Sequence, residues 1–161
     1  MVIDSRARLT RAPLAESQPT QLALLRPRRA VSPSALVLLG QAQVGLAEAA
    51  QLPSSGERYA GAHLAALRAT AAVLAARANP DTHAGSGSRR RRRLRSAWDL
   101  LCEVAPEMGE WAAFFAAGAP KRAAAEAGVT RAVTAREADD LVRDVETFLA
   151  VVATTVGVCP S

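Results

Sequence analysis

One lysine, two histidines, two cysteines and six aromatic side chains are all that this 161-residue chain holds of those types. Cys102 and Cys159 belong to no CxxC motif and to no Cys/His cluster with metal-ligand spacing, which excludes a zinc knuckle or a dithiol redox centre and predicts two free thiols. No metal and no cofactor has a recognisable ligand set. Val, Ile, Thr and the aromatics are thinly spread, so the residue types that favour a pleated sheet are missing and no sheet is expected. The N-terminus has no apolar stretch of signal-peptide length, and the uncharged runs are too short to form a convincing bilayer span. The expectation is a cytoplasmic protein that makes no use of a membrane.

What is abundant is alanine and arginine: 37 residues are Ala and 19 are Arg, with Lys121 the single lysine. Alanine is the best helix former, so local propensity favours helix in nearly every ordered stretch. The charges are unevenly placed. Residues 1–95 carry 15 Arg against five acids, net +10, and residues 96–161 carry five basic against ten acidic groups, net −5, which together make the formal +5 of the chain. The length suits one domain with tails.

Residues 1–31 contain Pro13, Pro19, Pro27 and six Arg without a sustained apolar period, and are expected to be a disordered basic arm. The domain is expected over 32–157. Ser32 and Pro33 read as N-cap and first helical residue of a helix ending near Ala50, with Leu36, Leu39, Gln43, Leu46 and Ala50 as its stripe. Ser54 and Glu57 have capping-box spacing for a second helix running to about Ala78. Tyr59, His63, Leu67, Thr70 and Leu74 form its stripe, and Ala62, Ala66 and Ala69 let a neighbour approach closely. Residues 79–93 read as a flexible Arg-rich loop. A third helix from Ser96 carries Trp98, Leu101, Ala105, Met108, Ala112 and Phe115, with a kink or fresh start at Pro106 and an end at Gly118 and Pro120. A short helix over Lys121 to Ala127 follows. Thr134 and Glu137 then cap a long final helix that buries Ala138, Leu141, Val145, Phe148, Leu149 and Val152, before a tail over 158–161.

The run Arg58-Tyr59-Ala60-Gly61-Ala62-His63-Leu64-Ala65-Ala66-Leu67-Arg68-Ala69, the Tyr59-x3-His63 pattern, the Trp98 and Trp111-Ala112-Ala113-Phe114-Phe115 region and the Arg136-Glu137-Ala138-Asp139-Asp140-Leu141 helix resemble the HEPN family (higher eukaryotes and prokaryotes nucleotide-binding), in particular its short Arg-rich actinobacterial members. The resemblance covers roughly residues 34–156. It implies an all-α, up-and-down four-helix bundle, commonly a homodimer, in a family where some members are ribonucleases and others are non-catalytic nucleotide-binding or antitoxin-type partners.

Catalytic members are known by an Arg four to six residues from a His, imidazole moving a proton and guanidinium holding the phosphate. Arg58 and His63 have that spacing, and so do Arg77 and His83, a coincidence that a chain with 19 Arg makes common. The other reading of His63 is a partly buried histidine packed beside Tyr59. Arg89, Arg90, Arg91, Arg92, Arg93 and Arg95 are the candidate nucleic-acid contacts, because closely spaced guanidiniums neutralise phosphates without base-specific geometry. Glu137, Asp140 and Asp144 share a helix face, with Arg136/Asp140 and Asp139/Arg143 as i,i+4 pairs that make it a salt-bridged surface rather than a metal site. Trp98, Met108, Trp111, Phe114 and Phe115 are expected in the core. The leading expectation is a non-enzymatic module that associates with RNA or another nucleic acid, or with a protein partner. The alternatives are a metal-independent ribonuclease using Arg58 and His63, and an interaction subunit whose Arg loop docks on an acidic partner.

Overall fold

The computed structural model describes residues 31–78 and 96–158, and among them the order is α1 (Pro33–Ala50), α2 (Ser55–Arg77), α3 (Ala97–Val104), a 3-10 turn (Pro106–Met108), α4 (Gly109–Glu126) and α5 (Ala135–Val156). The arm, the Arg-rich loop and the tail lie outside the described residues apart from Val31 and Val158. No strand occurs among the described residues. α2 is the central element, packed against α1, α5, α4 and α3, and α1 also touches α5.

Why α2 can be central follows from its side chains. Ala62, Ala65, Ala66, Ala69, Ala72 and Val73 are fully buried around it, so neighbours pack close to its backbone from several directions. The same composition makes α2 long and apolar enough to cross a membrane, but half of its most apolar stretch is buried by the other helices, as a bundle core requires. The α1/α2 contact is the tightest. A β-carbon added to Gly61 would stand 2.7 Å from Ala49 Cβ, whereas one added to Gly40 on α1 would meet nothing within 4 Å. Gly61→Ala is therefore expected to lower stability by roughly 1–3 kcal/mol through overpacking, while Gly40→Ala raises it by up to about 1 kcal/mol through helix propensity. Urea unfolding of the two variants checks the opposite signs.

α1 buries Leu39 and Leu46 of the predicted stripe, but with Ala35, Ala42 and Ala49 in place of Leu36, Gln43 and Ala50. Ala35, Leu39, Ala42, Leu46 and Ala49 are buried, while Leu36 is 43% exposed and Gln43 faces solvent. At Ala49 the reason is local, since only a small residue fits against Gly61. The α3–α4 and α5 stripes are as the periodicity predicts: Trp98, Leu101, Ala105, Met108, Ala112 and Phe115 are buried, as are all six residues expected of α5.

The helix ends have identifiable causes. Ser96 and Asp99 cap α3 reciprocally, as do Thr134 and Glu137 for α5, whereas Ser54 accepts from Glu57 N without the return bond. α5 closes at Gly157, in the left-handed region at φ 94°, with Val158 N–H donating to Ala153 O at 2.8 Å. Pro106 breaks the third predicted helix into α3 and α4. Gly118 and Pro120 do not end α4, which continues to Glu126 and absorbs the short helix expected after it. A proline removes a single N–H, and the helix carries on once the neighbouring turns are held by packing. Among the described residues five α-helices result where four main helices and a short one were expected, in the same all-α bundle.

Candidate functional site

Arg58 and His63 share α2 but not a face, since five residues rotate the helix by about 140°. Arg58 turns back to the connection between α1 and α2: Nη1 donates to Leu52 O at 2.5 Å and Nε lies 3.0 Å from Asp139 Oδ1 on α5. This takes Asp139 away from Arg143, the partner expected of it. Arg143 pairs with Asp140 instead, which also has Arg136 at 3.7 Å. The acidic face of α5 is thus largely neutralised, and no group of three or more His, Cys, Asp or Glu with metal-binding geometry occurs among the described residues.

His63 turns inward. It is 1% exposed, packed edge-on against Trp98 and Phe115 with ring centroids 5.5 and 6.0 Å away. Nε2 lies 2.9 Å from Phe115 O. A carbonyl only accepts, so Nε2 carries the proton and Nδ1 is left as a bare acceptor, buried without a partner. One nitrogen is committed to the backbone and the other is enclosed. Burial holds the imidazole below its ordinary pKa of 6.5, against the opposing pull of the Phe115 bond.

The sign of the pH effect follows. The fold favours the neutral ring, so the unfolded chain binds the proton first, and the stability from His63 is complete above about 6.5 and lost as pH falls below it. Glu137 acts in a lower window. Lys121 and Thr134 hold its carboxyl at about 2 against an ordinary 4.5, so its contribution is present above 4.5 and is lost as pH falls towards 2. Thermal unfolding from about pH 8 to about pH 5.5 should show Tm declining on the acid side, and His63→Gln should flatten that decline. A parent Tm indifferent to pH across this range would contradict the buried neutral ring.

The rest of the candidate set divides between described and other residues. Arg77 donates to Val104 O at 2.8 Å and pairs with Glu107, tying α2 to the α3–α4 junction, and His83 lies outside the described residues. Arg89, Arg90, Arg91, Arg92, Arg93 and Arg95 also lie outside them. Cys102 is exposed and free. Phe114, expected in the core, is 46% exposed, whereas Trp98, Met108 and Phe115 are buried and Trp111 is half-buried.

Sequence reasoning missed a cavity of about 250 Å³ between α2, α4 and α5, lined by Tyr59, His63, Phe114, Phe115, Gly118, Lys121 and Leu141 among others. Tyr59 and His63 sit four apart, which does place them on one side of α2. The partners from α4 carry no sequence signal that would pair them with α2.

Comparison with known proteins gives one match to a family model, HEPN_SAV_6107, a HEPN-like domain, over residues 49–153. That span takes in α2, α3, α4 and most of α5, the elements that build both the His63 environment and the cavity. No curated protein and no solved structure matches the chain.

Proposed function

The chain belongs to the HEPN family, and from that premise we propose that it is a non-enzymatic member that associates with RNA or another nucleic acid through Arg89, Arg90, Arg91, Arg92, Arg93 and Arg95. The observation that carries the non-enzymatic half is the placement of His63. A general base must reach the proton it abstracts, directly or through one water. Nε2 is occupied by Phe115 O, Nδ1 is sealed among packed side chains, and Arg58 is spent on Leu52 O and Asp139. The pair holds helices together: Arg58 ties α2 to α5, and His63 ties α2 to α4.

The nucleic-acid half rests on charge. Among the described acids, Glu107, Glu126, Glu137, Asp139 and Asp140 already have Arg or Lys partners within the fold. The arginine run itself supports the reading by its sequence, six guanidiniums within seven positions, a density of positive charge suited to a polyanion. In this reading the protein is a cytoplasmic homodimer, and the exposed apolar residues Leu36, Val37 and Val44 of α1 are its candidate dimer contacts.

Fluorescence anisotropy with labelled single-stranded RNA and duplex DNA of scrambled sequence tests the proposal. Binding should be blind to sequence and should weaken steeply as salt is raised. Absence of binding at low salt, or strong preference for one sequence, would argue for a protein partner or for base readout instead.

A further inference from the structure

Tyr59 is 7% exposed, and its hydroxyl has no hydrogen-bond partner among the described residues. The hydroxyl oxygen is not enclosed as His63 Nδ1 and Thr70 Oγ1 are, so it is open to an incoming ligand. The side chain lines the cavity between α2, α4 and α5. Opposite it, α4 carries glycine: a β-carbon at Gly118 would stand 2.9 Å from Tyr59 Oη, so the missing side chain keeps space open around the hydroxyl. Burial pushes the phenol above its ordinary pKa of 10, so at neutral pH it is a proton donor.

Lys121, the chain's single lysine, stands at the same cavity. Its ammonium and the Tyr59 phenol are close enough to influence each other's charge. Glu137 Oε1 takes one ammonium N–H at 2.5 Å, leaving two of the three. Glu137 does not depend on Lys121 alone, since Oε2 also accepts from Thr134 N at 2.9 Å and from Thr134 Oγ1 at 2.8 Å. The polar part of the cavity is therefore a pair of donors, one cationic, with capacity to spare. Besides His63, whose Nε2–H is taken by Phe115 O, the remainder is apolar, chiefly Phe114, Phe115 and Leu141.

Size narrows the occupant. The volume of about 250 Å³ falls between the ~150 Å³ that holds benzene and the ~300 Å³ at which drug-sized pockets begin. One aromatic ring with one small polar substituent fits that interval. A carboxylate matches the donors best, because its two oxygens accept from a phenol and an ammonium at once and its charge suits the cation.

We propose that this cavity binds a single-ring aromatic carboxylate, its ring against Phe114, Phe115 and Leu141 and its carboxylate accepting from Tyr59 Oη–H and Lys121 Nζ–H. The exposed ring of Phe114 forms part of the site, which accounts for a large apolar side chain left outside the core.

Titrating benzoate into the full chain tests this, read by saturation-transfer NMR and by tryptophan fluorescence, since Trp98 and Trp111 stack on Phe115 with centroids 5.1 and 5.9 Å away. Benzoate should bind saturably and more tightly than benzamide, which keeps the ring but lacks the charge. Tyr59→Phe, which retains the ring and removes the donor, should weaken benzoate about five-fold with helicity unchanged, and Lys121→Gln should do likewise. Gly118→Ala should abolish binding by filling the space; if that variant fails to fold, Tyr59→Phe decides. No saturable binding to the folded parent, or equal affinity in parent and Tyr59→Phe, would overturn the assignment.

Discussion

Replacing His63 by alanine is expected to lower folding stability by about 2–4 kcal/mol and to change nothing in the protein's behaviour towards RNA. The ring is 1% exposed, so its removal leaves a void beside Trp98 and Phe115, two of the chain's largest core side chains. Phe115 O loses the imidazole donor at 2.9 Å. The effect spreads because Phe115 is the hub of the aromatic cluster, with Trp98 stacked at 5.1 Å and Phe148 tilted at 5.0 Å. Urea denaturation followed by circular dichroism measures the loss. His63→Gln should recover part of it, as an amide can still donate to the carbonyl. A variant as stable as the parent would remove the structural role assigned to the residue.

Exchanging Arg89, Arg90, Arg91, Arg92 and Arg93 for serine is expected to remove most of the affinity for nucleic acid. Each guanidinium that neutralises a phosphate releases condensed counterions. Five such contacts give a slope of log K against log salt of roughly −4.5 on duplex and −3.5 on single strands. The serine variant should show a slope near zero and should lose affinity for every sequence alike, because phosphate contacts position a protein without specifying bases. Stability should be unaffected. Retention of the parental slope would move the nucleic-acid surface elsewhere on the molecule.

The parts of this structure legible in the sequence are those decided by neighbours along the chain. Thr134 and Glu137 are three apart and cap α5 as their spacing requires, and the α5 stripe from Ala138 to Val152 is buried throughout. The α3–α4 stripe was equally plain, because Trp98, Leu101, Met108 and Phe115 are the large apolar residues of that region. What could not be read were choices made between helices. α1 buries Ala35, Ala42 and Ala49 beside Leu39 and Leu46 and leaves Leu36 exposed, and at Ala49 the close approach of Gly61 admits only a small residue. Asp139 has Arg143 within reach on its own helix, yet it pairs with Arg58, which lies 81 positions earlier in the chain numbering and comes close only once α2 packs on α5. Pro120 read as a stop, and packing overrode it.

The same division holds for the site. The Arg58/His63 spacing is visible in the sequence, but 140° of helical rotation, about what five residues give, separates their directions. The acceptor that fixes the imidazole is a backbone carbonyl on α4, and a carbonyl has no sequence signature. Tyr59 and His63 were legible as neighbours on one side of α2. The cavity they share with Gly118 and Lys121 was not, since it depends on where a proline-containing helix runs.

The non-enzymatic reading is tested most directly by incubating the purified full-length protein with total RNA, with and without a chelator, and resolving the products by gel. Intact RNA in both conditions, at protein concentrations where anisotropy shows binding, is the result expected of a HEPN domain whose only described histidine has one ring nitrogen bonded to Phe115 O and the other buried. Cleavage that survives chelation and disappears in His63→Ala, with that variant still folded, would contradict it and make Arg58 and His63 a catalytic pair.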